Sequence, residues 1–376
     1  MSGGGEPAME GLAARKATRG VRVRGVGIGA GAPVTVQGMT KCDSHNERAV
    51  LDGILELHRA GCDIVRVAVP DKRAAGVVAR VLRESPAPVV ADIHFDYRLA
   101  LAMIEAGVDK LRINPGNLGG PGRLKAVARE AMARGIPLRV GVNSGSIERD
   151  ILERTGGPTA GAMVESARRQ VTLLEDIGFT DIVLSLKSSR VPVLIQAYRI
   201  ASREFIYPLH VGVTETGGGC PGIVKSAVGI GTLLAEGIGD TIRVSLTGSA
   251  VDEVRVGIDI LVSAGLRKGR PEIVSCPTCG RCSADVAGIA GEVRRRLEAA
   301  APELKIAVMG CEVNGPGEAR EADIGVAMGR GHGVLFVKGT PVKTVPAGRV
   351  VEELCEAAEK MGRGSQGENR RSGSGV

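Results

Sequence analysis

Apolar residues along this chain recur with two alternating periods. Short β-branched runs read as strands: "VTVQGM" (34–39), "DIVRVAV" (63–69), "PVVADIH" (88–94), "KLRINP" (110–115), "PLRVGVN" (137–143), "DIVLSLK" (181–187), "PLHVGVT" (208–214) and "DTIRVSL" (240–246). Between them lie segments such as "HNERAVLDGILELHRAG" and "PGRLKAVAREAMARG", apolar at helical spacing and stopped by Gly. Eight strand–helix units in about 230 residues match the count and length of a (β/α)8 TIM-type barrel. An open doubly wound sheet is the alternative, though it seldom needs eight such regular units. "VRVRGVGIGAGAPVTV" precedes them as two short strands around a Gly-rich turn.

After "LRKGRPE" (266–272) the rhythm breaks. Strands "LKIAVMG", "ADIGVAMG" and "GVLFVKG" follow, with helices "AGIAGEVRRRLEAA" and "AGRVVEELCEAAEKMG", as in a smaller α+β domain. The expected divisions are a barrel over 19–268 and an α+β domain over 269–362. Residues 1–18 and 363–376, rich in Gly, Ser and charge, are expected to be disordered tails.

Composition narrows the function. No apolar run approaches a membrane span and the N-terminus lacks an apolar signal core, so no membrane partner and a cytoplasmic location are expected. The net charge is +7, but aromatic residues are 2% and Trp is absent, which leaves little with which to stack bases. An anionic substrate or acidic protein partner accounts for the charge without nucleic acid.

Barrel enzymes place their chemistry at the C-terminal ends of the strands. Those ends offer Gln37; Arg66; Asp92 and His94; Arg112 and Asn114; Arg139 and Asn143; Lys187; Thr214 and Glu215; and Arg243 and Ser245. Five strand cations face two carboxylates, too many for each to have a local partner. Converging cations call for a small, highly charged anion, and phosphate or diphosphate suits the Arg fork best. No GxxxxGK[ST] sequence is present, so this is not a P-loop site. "TGGGC" and "NPGNLGGPG" are loops that could add backbone N–H donors. His94 stands at a strand end beside Asp92 and reads as a site residue, whereas mid-strand His210 reads as core.

Four of the eight cysteines, Cys276, Cys279, Cys282 and Cys311, gather after the barrel. A Cys-x-x-Cys pair with a third Cys about thirty residues on suits zinc or an iron–sulfur cluster. Zinc would take Cys282 as its fourth ligand, holding a barrel that acts on a phosphorylated sugar without redox chemistry. A thioredoxin-like pair is disfavoured, because that motif follows a strand in a βαβ unit.

The stretches "SCPTCGR", "MGCEVNGPGEAREADIGVA", "LHVGVTETG", "VKSAVGIGTLLAEGIGDTIRVSLTG", "ADIHFD" and "RINPGN" together resemble the 4-hydroxy-3-methylbut-2-enyl diphosphate synthase family, from Arg19 to Gly362. The resemblance is to the shorter bacterial two-domain form. It implies a reductase of the non-mevalonate isoprenoid pathway that opens 2-C-methyl-D-erythritol 2,4-cyclodiphosphate with electrons from ferredoxin or flavodoxin. It also implies one [4Fe–4S] cluster per chain on Cys276, Cys279, Cys311 and Glu318. Arg66, Arg112, Arg139, Lys187, Arg243 and Ser245, with Asn114 and Asn143, would then hold the diphosphate. Glu215 would be the acid, oriented by Asp92, His94 and Thr214, and Asn314 would approach from the cluster domain. Cys282, outside that ligand set, is a bystander or an alternative ligand; Cys220 and the "KCDSHNER" stretch also depart from the family pattern.

Chain length bears on assembly. The eighth barrel helix, near 251–265, runs back to the face opposite the mouth, leaving "LRKGRPEIVS" to lead to the cysteines. Ten extended residues reach at most about 33–36 Å. That leaves little slack to set a rigid domain over the same mouth. A head-to-tail C2 homodimer, each cluster domain capping its partner's barrel, is the expectation, and the family resemblance implies the same.

Overall fold

The β-branched runs form strands and the segments between them helices because each buries one face. The computed structural model describes residues 13–114, 118–268, 271–297 and 304–371. Parts of segments discussed above, residues 1–12, 115–117, 269–270, 298–303 and 372–376, lie outside the described residues. The chain divides into two compact units, Met1–Arg267 and Lys268–Val376.

The first unit opens with an antiparallel hairpin of β1 (Val21–Val23) and β2 (Val26–Ile28). Eight parallel strands follow: β3 (Thr35–Met39), β4 (Ile64–Ala68), β5 (Val89–Ile93), β6 (Lys110–Ile113), β7 (Leu138–Asn143), β8 (Ile182–Lys187), β9 (His210–Val211) and β10 (Thr241–Ile242). Their order is β8-β7-β6-β5-β4-β3-β10-β9, and a parallel bridge from Leu184 to Leu209 joins β8 to β9, closing the barrel.

Strand alternation sorts the side chains. Val65, Val67, Val89, Ala91, Leu111, Ile113, Leu138, Val140 and Leu184 point outward into the main apolar core beneath the helices. Inward, Ile64, Val90 and Val183 meet Val21, Val23 and Ile28 of the hairpin as an apolar floor at the strands' N-terminal ends.

The seventh and eighth strands are only two residues each, shorter than their apolar runs. Pairing continues by one bond, from Arg243 N–H to the Val211 carbonyl (2.9 Å), and then ends where Gly212 presses on Arg243. A Cβ on Gly212 would stand 2.5 Å from the Arg243 carbonyl oxygen.

Residues 13–18, expected within a disordered tail, are instead fastened to the barrel. Ala13 and Lys16 donate backbone N–H groups to the Ala235 and Gly237 carbonyls. Arg15 and Thr18 each donate to the buried Asp240 carboxylate at 3.0 Å. The partner lies more than two hundred residues away, out of reach of local composition.

The second unit is a five-stranded sheet ordered β11 (Glu272–Ser275), β12 (Lys305–Met309), β13 (Ile324–Met328), β14 (His332–Val337), β15 (Thr340–Pro346). The first three run parallel and the last two antiparallel. Helices Val286–Leu297 and Val350–Arg371 cover one face through Val293, Leu297, Val350 and Leu354; the short helix Gly315–Arg320 packs Ala319 against Ala327 and Phe336. The terminal helix runs on past Gly362, where the sequence placed its end. The edge strands β11 and β15 were not anticipated. β15 carries two prolines and is almost wholly exposed, so it lacks the alternation that marks a half-buried strand.

Candidate active site

The inner face above the barrel floor is polar, where most such barrels pack branched apolar residues. It carries Arg66, Lys110, Arg112, Arg139, Lys187 and Arg243, and Asp92 is the carboxylate among them. Arg66 Nη2 donates to Asp92 Oδ2 at 2.6 Å, and Arg112 Nη1 to Oδ1 at 3.0 Å. His94 Nε2 lies 2.8 Å from Arg112 Nη1 and 3.2 Å from Asp92 Oδ2. Burial alone would raise the Asp92 pKa, but Arg66, His94 and Arg112 together hold it well below the usual carboxylate range.

That carboxylate leaves most of the positive charge unmatched. Arg139 is wholly buried, and none of its three guanidinium nitrogens has a hydrogen-bond partner among the described residues. The same holds for Arg66 Nε and Nη1, Arg112 Nε, Arg243 Nε, Lys110 Nζ and both ring nitrogens of His210. Burial, then neighbouring cations, lowers the pKa of Arg139, Lys187 and His210 far below ordinary values and brings Lys110 to about 7. Buried, unpaired cations are costly, and a multiply charged anion among them relieves that cost.

Neutral groups share the lumen. Gln37 is buried with both amide atoms unpartnered among the described residues, as is Ser185 Oγ. Asn114 is buried at the end of β6, and Asn143 closes β7.

At the rim after β9, Glu215 is exposed and holds φ +53°, a left-handed conformation uncommon for a residue with a Cβ. Half-buried Thr214 precedes it, its backbone N–H bound to the Ser188 carbonyl. Thr216 follows and donates its hydroxyl to the carbonyl of half-buried Ser245. The glycines of "TGGGC" have a packing reason: a Cβ on Gly218 would sit 2.8 Å from the Thr247 carbonyl oxygen, and Gly217 and Gly219 hold positive φ.

Sequence reasoning missed four members. Lys110 and His210 share the inner face, and Lys110 could have been found two residues before Arg112 on one strand. Glu253 is buried and accepts from Leu246 N–H (2.8 Å), from Lys41 (3.0 Å) and from Arg243 (3.4 Å). It stands on the apolar face of the helix Ala250–Ser263 with Gly257 and Ile260, a position that periodicity marks as core. Lys41 also donates to the Leu246 and Gly248 carbonyls at 2.8 Å, tying the loop after β3 to the loop after β10.

The second unit holds a cavity of about 400 Å³ lined by Cys276, Cys279, Cys282, Cys311, Asn314 and Glu318, among others. The Gly310 N–H points at Cys276 Sγ (3.2 Å). A Cβ on Gly310 would stand 2.4 Å from Cys282 Sγ and 3.3 Å from Cys276 Sγ, so only glycine fits between these sulfurs. Cys311 precedes the helix Gly315–Arg320; backbone N–H groups of Asn314 and Val313, aimed at its sulfur, lower its pKa, which favours the thiolate. Cys282 donates its thiol to the Ala284 carbonyl at 3.1 Å.

Among the described residues no three Cys, His, Asp or Glu converge closely enough to hold one metal ion. A multi-iron cluster takes its ligands from farther apart around its own body. Four thiols and the Glu318 carboxylate around one cavity are a donor set that fits that group.

Two family models match this chain: the GcpE TIM-barrel domain over residues 18–258 and the GcpE protein C-terminal domain over 272–360. Similar proteins include the 4-hydroxy-3-methylbut-2-en-1-yl diphosphate synthase (flavodoxin) of Symbiobacterium thermophilum, 54% identical over 92% of this chain and 94% of its own. The proteins of the same name from Caldanaerobacter subterraneus and Geobacter sulfurreducens are 53% and 52% identical, over 92% of this chain and 98% of theirs. Among solved structures, a dihydropteroate synthase from Xanthomonas albilineans aligns with 65% of this chain and 97% of its own at TM-score 0.47 and 16% identity. With both family models spanning nearly all of its length and relatives more than half identical, this chain belongs to the GcpE family.

Proposed function

We propose that this protein reduces 2-C-methyl-D-erythritol 2,4-cyclodiphosphate to 4-hydroxy-3-methylbut-2-enyl diphosphate, with flavodoxin or ferredoxin as electron donor. The observation that carries this reading is the barrel lumen, where six buried or half-buried cations have two carboxylates, Asp92 and Glu253, among them. Such a field suits a compact diphosphate, and the name of the relatives specifies which one. The conversion balances with two electrons and one proton. The C–O bond to one phosphate opens, the neighbouring hydroxyl leaves as water, and the product carries a trianionic diphosphate.

Arg66, Arg112, Arg139, Lys187 and Arg243 bind the two phosphates, with Asn114, Asn143 and Ser245 completing the donor set. Asp92 keeps Arg66 and Arg112 in place with His94 alongside, and Glu253 does the same for Arg243. Glu215 delivers the proton to the departing hydroxyl, aided by Thr214; its left-handed backbone is the kind of local strain that persists where function requires a fixed side chain. Cys276, Cys279, Cys311 and Glu318 would hold one [4Fe–4S] cluster, with Asn314 beside it. When bound, such a cluster supplies one-electron transfer and an iron whose carboxylate ligand exchanges more readily than a thiolate.

The test is anaerobic reconstitution followed by iron, sulfide and zinc analysis and turnover with reduced flavodoxin. Iron with matching sulfide and diphosphate product support the proposal; one zinc in a colourless protein refutes it. We further propose that the working unit is a homodimer in which the cysteines of one chain complete the site holding Glu215 of the other. Mixing a Glu215→Ala chain with a Cys311→Ser chain should restore activity, since the mixed dimer then has one intact site. Verified mixed dimers that stay inactive refute the shared site.

A further inference from the structure

Lys110 shares the barrel's inner face with the cations assigned to the diphosphate, but no role in holding it falls to this residue. It shares the inward face of β6 with Arg112, two residues nearer the strand's N-terminal end, and stands across from Val90 of the apolar floor, as Arg66 does from the other side. The side chain is wholly buried, and Nζ has no hydrogen-bond partner among the described residues. The inner faces of the other strands present Gln37, Arg66, Asp92, Arg139, Lys187, His210 and Arg243. Only Asp92 among these is anionic, and it is engaged by Arg66 and Arg112.

An ammonium at such a position faces desolvation and like charges at once, and a buried amine answers by losing its proton. We infer that Lys110 gives up its proton in the free barrel above neutral pH and takes one up from solvent when a diphosphate enters, so that substrate binding is coupled to protonation at this residue. This rests on the diphosphate reading above and deepens it. Burial first, then Arg139 and Arg66, brings the Lys110 pKa to about 7 in the free protein. At an effective dielectric of about 20, a dianion about 8 Å away favours the protonated form by roughly 10³-fold. The amine therefore regains its proton on binding and becomes one more positive charge beneath the substrate.

The experiment is calorimetric titration of the cluster-loaded full chain with 2-C-methyl-D-erythritol 2,4-cyclodiphosphate, anaerobically, in HEPES and in Tris. These buffers differ in ionisation heat, so the difference counts protons. The ligand adds none, because each of its phosphates carries a single strongly acidic group. With a free pKa of about 7, Lys110 should contribute about 0.9 proton per site at pH 8 and about 0.5 at pH 7. That contribution alone raises the dissociation constant roughly 50-fold between pH 7 and pH 9. Lys110→Met should still bind, with uptake at pH 8 lower than wild type by most of a proton, leaving only what Lys187 and His210 take up. If that variant does not fold, Lys110→Arg, whose side chain stays charged, takes its place and should show the same loss of uptake. Binding without uptake in the wild type overturns the inference, as does uptake that is unchanged in Lys110→Met. No binding heat at any pH overturns the diphosphate reading itself, and this inference with it.

Discussion

Replacing Gly310 with alanine should cost the protein most of its iron. The added Cβ would stand 2.4 Å from Cys282 Sγ and 2.8 Å from Val286 Cγ2, both far inside van der Waals contact, and 3.3 Å from Cys276 Sγ. Val286 is buried at the start of a helix and has little room to give, so relief must come from the cysteine loop. Overpacking of this kind costs about 1–3 kcal/mol, which weakens cluster retention by roughly 5- to 150-fold if the loop meets all of it. The assay is iron and acid-labile sulfide per chain after anaerobic reconstitution, read against a chelator titration. Gly291→Ala is the control, because nothing lies within 4 Å of the Cβ it would add. A second variant isolates the cause: Cys282→Ala in the Gly310→Ala background removes the nearer sulfur and should recover part of the iron. If Gly310→Ala holds iron as Gly291→Ala does, or the double variant recovers none, the cradle is not set by this contact.

Glu318→Ala should keep part of its iron, since three thiolates remain, yet lose most turnover, while Cys311→Ser should lose most iron; wild-type turnover in Glu318→Ala would sink the mixed-ligand assignment. Glu215→Ala should slow reduction by about 10²-fold or more with binding nearly intact. Arg112→Ala should mainly raise KM, and identical kinetic defects in these two variants would refute the division of roles. Lys110→Met should stabilise the barrel in a pH-dependent way. The folded-state pKa of about 7 lies below the ordinary 10.5, so the unfolded chain binds more protons between these values and wild-type stability rises with pH there. The variant's advantage is then roughly 5 kcal/mol at pH 6 and roughly 2 kcal/mol at pH 9. All three tyrosines, Tyr97, Tyr198 and Tyr207, lie in the barrel unit, so tyrosine fluorescence during urea unfolding isolates it; an advantage that does not shrink with pH would contradict the buried-amine account.

Periodicity located the barrel because each strand is apolar outward and each helix apolar on one face, and both patterns are local. Reading only strand ends found Arg66, Arg112, Arg139, Lys187 and Arg243, which the fold brings onto one inner surface. The same reading passed over Lys110 because it starts its strand, although the two-residue period from Arg112 already put it inside. Mid-strand His210 reads as core, and it is wholly buried, but beside cations. Glu253 and the latch from Arg15 to Asp240 could not be located by composition, since their partners are set by closure of the barrel. Strand β15 escaped for the opposite reason: an exposed edge with prolines has no buried face to impose a pattern.

The hairpin of β1 and β2 under the barrel also has a kinetic meaning. Val21, Val23 and Ile28 seal the lumen against Ile64, Val90 and Val183, so the chamber is a blind shaft with its opening at the end where Glu215 stands. Whatever enters must leave by the route it came. A product that keeps its diphosphate head while its carbon chain has been opened would then sit in the path of the next substrate until it dissociates. Inhibition by product should accordingly be competitive, and cutting back the floor, as in Val23→Ala, should not provide a second exit unless water can cross that layer.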